Sequence, residues 1–376
     1  VYHKDIIFAS YADSLILKLI DQKTEKLDAK QIDYFVQNNS RNSPLSVYFA
    51  HQQIAAVASH FLRDAKGDIV GQFAELGGES AWNLNYKNDA LILSGESKMN
   101  PNKQSYLGLF AEQEKTVQGL YRYFPENTAL FMEYAVSNKA LFQSQLTTLL
   151  NSRQEWTKLE NQFVEMERSN KLSLQEDINP LFGNNFAVVE LSNQVEIAFI
   201  SLSDSVQFKE KSNSWASSID EDIYRFNNSN MLYALYGDAF KNFKRPYFMQ
   251  IANVLVMSNS QSELRDYKKS WQNAQLLIST LGFKNFEKTH GNEANVTYFL
   301  RSRTSSALTN SSLKRDYAKK YKDKEEYGYQ DFFSWSIQLS GNRGNFFSNI
   351  YGLFKSSTAL GVTPEWTYAF DNRPIS

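Results

Sequence analysis

Cysteine is absent from the 376 residues of this chain. With it go disulfides, thiolate nucleophiles and zinc-thiolate sites, while the compartment stays open, because a cysteine-free chain is at ease in either redox environment. Histidine is scarce: His3, His51, His60 and His290 are the only four. They are too scattered for a metal site, and the spacing of His51 and His60 misses the i, i+3 or i, i+4 geometry that puts two ligands on one helix face. Charge of one sign is lacking too, with 40 Lys and Arg against 41 Asp and Glu. No whole-chain field therefore draws in nucleic acid or anionic lipid. Apolar runs stop short of the roughly 18 residues a spanning helix needs. A G-x-S-x-G elbow, a Walker loop and a dinucleotide fingerprint are all missing. No cofactor and no catalytic residue is expected.

What is present is core-forming material, at 42% hydrophobic and 14% aromatic residues, enough for two or three domains. The sequence also carries a faint internal echo. Ile7-Phe8-Ala9-Ser10 falls on Val256-Met257-Ser258-Asn259, Leu15 and Leu27 fall on Leu264 and Leu276, and Val47-Tyr48-Phe49 meets Thr297-Tyr298-Phe299. Further on, Ser80-Ala81-Trp82-Asn83-Leu84 meets Phe333-Ser334-Trp335-Ser336-Ile337. The offset grows only between these blocks, where loops belong. Each copy reads as an apolar strand, two short helices, a Tyr-Phe strand, a helix and a Trp-bearing hairpin.

The fold class expected is therefore α+β, with tandem duplicated units of antiparallel sheet and packed helices, the first unit incomplete at its N-terminus. Residues 1–115 read as the C-terminal half of the first unit and 116–356 as a complete second one. Residues 357–376 read as a linker and the first strand of a following module, from the alternation of Val362 to Phe370. A chain opening abruptly at Val1 is expected to lack its N-terminal part, where any targeting segment would lie.

The hairpins are the clearest local signal. Trp82, Leu84 and Tyr86 alternate with Asn83, Asn85 and Lys87 before a turn at Asn88-Asp89, and Trp335, Ile337 and Leu339 do the same before Gly341 to Gly344. Between the copies, the apolar stripe from Phe142 to Met166 predicts one long helix, Phe186–Leu191 and Val195–Ile200 a hairpin, 205–217 a helix and Met231–Leu235 a strand.

Candidate chemistry is thin. Glu75, Glu79, Asp89 and Glu96 gather near the first hairpin, but their counterparts in the second copy are not acids, so they read as a solvated rim. The basic stretch Lys314 to Lys324, with Tyr317 and Tyr321 interleaved, is offset by Asp316, Asp323, Glu325 and Glu326 and reads as a solvated helix face. Trp82 and Trp335 are the candidate aromatic contact residues. Asp13-Ser14-Leu15 and Asp204-Ser205-Val206 match the tripeptide pattern of Bacteroidota O-glycosylation, making Ser14 and Ser205 possible modification sites, though Ser14 also suits a helix cap.

The stretches Phe124-Pro125-Glu126-Asn127-Thr128-Ala129, Leu181 to Val189 and Val254 to Leu264, with hairpins of the Ser80 to Gly95 kind, resemble an uncharacterised family of Bacteroidota envelope proteins. In that family such regions form the N-terminal part of larger lipoproteins or exported proteins, ahead of a β-propeller-like domain, and Glu365-Trp366-Thr367-Tyr368 resembles the join. The resemblance implies a periplasmic or outer-membrane-associated location, with any lipid anchor outside this chain. It implies a non-catalytic scaffold or protein-interaction module whose partners are other envelope proteins. The alternative is a binder of glycan or peptidoglycan that stacks sugars on exposed aromatic residues.

Overall fold

The computed structural model describes residues 2–3, 6–7, 13–21, 29–64, 68–323 and 328–355. Contacts divide the chain after Asn39. In the first unit, β1 (Tyr2–His3) pairs antiparallel with β2 (Ile6–Ile7), followed by α1 (Asp13–Ile20) and α2 (Ala29–Asn38). The α2 helix buries Tyr34, whose carbonyl accepts from Asn38 Nδ2 at 2.9 Å. The strand expected over Val362–Phe370, the join at Glu365–Tyr368, and Lys324, Glu325 and Glu326 lie outside the described residues.

The second unit begins with β3 (Ser46–Ala50), which runs directly into α3 (His51–Phe61). Here α4 (Asp68–Leu76) follows, a second helix where the sequence suggested one. Gly77, at φ +65°, ends it and admits the hairpin of β4 (Glu79–Lys87) and β5 (Ala90–Lys98). After the short β6 (Thr116–Val117) come β7 (Thr128–Ala135), α5 (Lys139–Ser152) and α6 (Trp156–Asn170). The single long helix is thus a helical pair. Gln154 sits at φ +59° between them, and Arg153 anchors that turn through a 2.6 Å ion pair with Asp238. The apolar stripe continues through the break because both helices pack on the same core.

The hairpin of β8 (Phe182–Leu191) and β9 (Glu196–Leu202) is where the sequence put it. Next, α7 (Ser205–Ser212) is shorter than the expected 205–217, since the chain turns at Trp215 into β10 (Ala216–Ser218) and β11 (Tyr224–Phe226). The segment from Met231 is a helix and not a strand: α8 (Met231–Tyr236) buries all six of its residues. A fully buried apolar run has no periodicity to separate the two states, and Asn230 and Gly237, both at positive φ, delimit the helix. Then come β12 (Tyr247–Ile251), β13 (Val254–Ser258), α9 (Gln261–Gln272), capped by Ser260 Oγ, and α10 (Phe283–Thr289). The chain continues through β14 (Glu293–Ala294), β15 (Val296–Arg301), α11 (Ser306–Ser312) and α12 (Arg315–Lys322). It closes with β16 (Phe332–Asn342) and β17 (Asn345–Phe354).

Thirteen strands form one antiparallel sheet in the order β10-β11-β12-β13-β9-β8-β7-β15-β16-β17-β5-β4-β3, so the α+β class holds. Because side chains alternate along each strand, the sheet has two apolar faces, and each needs a cover. One face carries Tyr134, Phe186 and Phe248 under α5, α6, α7 and α8, with Phe73 and Leu76 of α4 in the same core. The opposite face carries Phe131, Val189, Phe199 and Phe299 under α9 and α10. Strands from residues 46–98 and 128–354 share this sheet through the pairing of β5 with β17.

Among the described residues the elements from β2 to β5 run strand, two helices, strand, two helices, hairpin, and those from β13 to β17 run similarly but with the extra strand β14 ahead of β15. Each hairpin sets its tryptophan opposite a glycine, Trp82 facing Gly95 and Trp335 facing Gly352. The preceding strand pairs differently, however: Val47 faces Trp82, whereas Leu300, and not Thr297, faces Trp335. A Cβ on Gly95 would fall 1.9 Å from the carbonyl oxygen of Ala81, while one on Gly352 would meet the Trp335 ring at 2.7 Å. A backbone obstacle cannot swing aside, but an indole edge can. Gly95→Ala is therefore expected to cost about 1–3 kcal/mol and Gly352→Ala less. Urea denaturation of the two variants measures this, and equal losses would contradict it.

Candidate functional site

Four fully buried side chains form a polar chain across the sheet: His51, Ser80, Ser97 and Ser348, each 0% exposed. The Gly78 amide donates to His51 Nδ1 at 3.2 Å, which leaves the ring proton on Nε2. From there His51 Nε2 donates to Ser80 Oγ at 2.8 Å, and hydroxyl contacts of 2.7 Å continue to Ser97 and then to Ser348. This is not a nucleophile and its base, because an Nε2 that already holds a proton cannot take one from Ser80. Burial also lowers the His51 pKa to about 4, keeping the ring neutral. The chain binds the β3–α3 junction to β4, β5 and β17. Sequence reading missed it, since nothing in linear spacing relates Ser97 to Ser348.

Several other ionisable groups are tied to backbone. Glu133 is 1% exposed, and its Oε1 accepts from the amides of Gly119 and Leu120, both at 2.8 Å, capping the 3-10 turn Leu120–Tyr123. Burial pushes its pKa up to about 7 against those hydrogen bonds. Lys139 Nζ donates to the carbonyls of Asn179 and Phe182 at 2.7 and 2.6 Å, and desolvation lowers its pKa to about 8. Arg301 donates to the Glu126 carbonyl at 2.6 Å, with its guanidinium 5.7 Å from the centre of the Phe333 ring. His290, neutral through burial, lies between Phe286 and Tyr351. Among the described residues no group of three or more His, Asp or Glu side chains could hold a metal ion.

The concave surface lies elsewhere, between the sheet and the α3–α4 pair. Phe49, Trp82 and Ile337 floor a cleft of about 380 Å³, walled by Ile54 and Val57 of α3 and by Val70 and Phe73 of α4. Of its eleven lining residues only Gln53 is polar. Trp82 packs edge-on against Phe49 with ring centres 4.5 Å apart, and it is 8% exposed. A second cavity of about 550 Å³ lies over Leu130, Met132 and Val188, and it shares Ile69 and Val70 of α4 with the first.

The structure separates the residues singled out from the sequence. Trp82 is in the cleft; Trp335 is half-buried outside it, 4.3 Å from Phe332 between ring centres and pressed on Gly352. Ser14 is exposed on α1. Ser205 is half-buried at the start of α7, where Asp204 Oδ1 accepts from the amides of Val206 and Gln207 at 3.0 and 2.9 Å. The Asp-Ser-Val tripeptide thus has a capping role in its own right. Glu79 accepts from the Tyr48 hydroxyl at 2.8 Å and Glu75 lies 4.0 Å from Arg153, so these two acids are engaged separately. The basic α12 buries no residue, as a solvated helix face requires.

Comparison with known proteins adds little. No family model matches the chain, and no curated protein does. One solved structure, crystal form I of TP0453, is similar over 62% of this chain and 77% of that one, at 10% identity and a TM-score of 0.29. A likeness that slight carries no argument. Among the described residues no helix is long and apolar enough to cross a membrane.

The buried Glu133 sets a pH dependence. Its carboxyl holds a proton in the folded state up to about pH 7 but loses it near 4.5 when unfolded, so the folded chain binds more protons in that window and stability falls as pH rises through it. Glu133→Gln removes this slope and is expected to gain on the native chain between pH 4.5 and 7, by on the order of 3 kcal/mol. His51 acts in the opposite sense, its contribution falling as pH drops from 6.5 through about 4. Urea midpoints for the Glu133→Gln variant across this range test the sign. A difference that shrinks as pH rises would contradict it.

Proposed function

We propose that this chain is a non-catalytic interaction module of an exported cell-envelope protein and that it engages its partners through the apolar cleft over Trp82. The observation that carries the reading is the cleft lining, apolar but for Gln53 and bounded by a helix whose Val57 is 57% exposed. Concave apolar surface of this size is what ligand and partner sites are made of. The Ser80–His51 pair offers no competing chemistry, because its tautomer is set the wrong way for a base.

The envelope location, a following propeller-like module and a lipid anchor outside this chain rest on the family resemblance. Descent from a duplicated α+β unit draws support from the recurring element order and from the paired Trp–Gly contacts, and the shifted pairing of β15 with β16 counts against it. The glycan alternative is weaker. A sugar platform needs an open ring face with hydrogen-bonding groups at its rim, and Trp82 is almost covered in a cleft with a single amide. Trp335, half-buried, is the residue that keeps that alternative in view.

The test is a photo-crosslinking residue at Gln53 in the envelope fraction of the source cell, with Val57→Asp as the comparison. Val57 is exposed enough for folding to tolerate the charge, within about 0.5 kcal/mol. A discrete adduct whose yield drops about tenfold in Val57→Asp, the worth of one buried valine, is expected. An adduct of unchanged yield, or none, would contradict the reading.

A further inference from the structure

The α3 wall of the cleft runs on past its lining residues Val57 and Ala58. Phe61 stands four residues beyond Val57, on the same helix face, and is 42% exposed. Its ring meets Tyr317 of α12 edge-on at 4.9 Å between ring centres, and its carbonyl accepts from the Lys314 amide at 2.8 Å. The apolar surface thus leads directly onto α12. From Lys314 to Asp323 the chain carries Lys314, Arg315, Lys319, Lys320 and Lys322, all exposed, against Asp316 and Asp323. Even with Lys324, Glu325 and Glu326, which lie outside the described residues, the stretch keeps more cations than acids. Lys314 Nζ donates to the Ser59 carbonyl, a partner that leaves its charge uncompensated. Among the described residues Lys314, Arg315, Lys319 and Lys322 are in no ion pair. Arg63 adds nothing to this excess, since it lines the second cavity together with Asp64, Glu190 and Glu196.

Resting on the interaction reading above, and deepening it, we infer that the partner docks through a protein segment that is apolar at one end and acidic at the other. Its apolar side chains enter the cleft over Trp82, and carboxylates a few residues along meet the cations of α12. The spacing suits one short segment. Val57 to Phe61 is about 6 Å along the helix, and the Tyr317 ring lies directly beyond. Acids about four residues from the apolar anchor reach α12 in an extended segment at about 3.3 Å per residue. In a chain whose net charge is -1, a local excess of cations draws in an oppositely charged partner and fixes its orientation over the apolar contact. Nucleic acid would meet the same cations but leave the apolar cleft empty, and a bilayer surface presents no side chain to enter it.

The experiment uses the full chain with the photo-crosslinking residue at Gln53, and the captured partner peptide is sequenced by mass spectrometry. That peptide is expected to hold apolar residues with Asp or Glu within about five positions of them. Lys319→Glu combined with Lys322→Glu, both on a helix that buries nothing, should lower the adduct yield about tenfold at low salt. Lys209→Glu combined with Lys211→Glu makes the same charge change on α7, which packs on β12 towards the other end of the sheet, and should leave the yield unchanged. Without either pair, the yield should fall as salt rises from about 0.05 to about 0.5 M and screening shortens. If the reversed chain fails to fold, this salt response decides. A captured peptide without acids, or a yield that ignores both salt and the α12 reversal while still falling in Val57→Asp, overturns this inference and leaves the interaction reading standing. Reversal that abolishes binding to phosphatidylglycerol vesicles but spares the adduct assigns α12 to a lipid surface and overturns it too. No adduct at all overturns both.

Discussion

Eight consecutive residue pairs, from Ala90 with Leu353 to Ser97 with Phe346, join β5 to β17. Without this ladder, β3, β4 and β5 would be a three-stranded remnant with an open edge, and β17 would end the larger sheet with unpaired backbone groups, both of them invitations to wrong pairing. The ladder makes the two segments one platform. Trp82 and Phe49 come from one side of the joint and Ile337 from the other, so the cleft floor exists only because the joint does. Its side-chain bonds follow the same line: Ser97 to Ser348, and Ser94 Oγ to Asn349 Oδ1 at 2.7 Å.

The buried histidine–serine chain fits that role. A polar group in a dry core is costly until each donor and acceptor is matched, and a chain of matched groups then fixes one register against its neighbours. A slip of β17 against β5 would carry Ser348 out of reach of Ser97, and with it a hydrogen bond that the interior cannot replace with water. Glycine acts on the same joint from the steric side. With Gly95 facing Trp82 and lying against Ala81, the β4–β5 hairpin closes tightly at the strand that carries the indole into the cleft.

Much of the secondary structure was legible because it repeats with the right period. The stripe from Phe142 to Met166 comes from one buried helix face, and the Phe186 to Ile200 hairpin, buried on both faces, shows as two apolar runs split by a turn. The alternation around Trp335 does not mark a wet face: Ser336 and Gln338 are buried, while Trp335 and Ile337 are half-buried. Where burial is complete the pattern vanishes, and so Met231–Leu235 reads as a strand. The break at Gln154 was hidden because its cause is Asp238, far along the chain, holding Arg153. The candidate site was legible only in part. Trp82 was singled out as an aromatic that might stack, but the partners that make it a cleft floor, Phe49 and Ile337, are brought to it by strand order. Strand order is a property of the whole sheet, and no local stretch encodes it. His51, read only as too scattered from the other histidines for a metal site, has partners in Ser80 and Gly78 that no linear spacing reveals.

If one continuous sheet underlies both the cleft and the chain's stability, the β5–β17 joint must open only when the whole second unit does. Native-state hydrogen exchange of the paired amides in β5 and β17, set beside those of β7 and β15 in the middle of the sheet, measures this most directly. The account predicts the same opening free energy for both sets. Exchange from β3, β4 and β5 together at a much lower free energy, with β7 and β15 still protected, would show that the platform is two pieces and would contradict it.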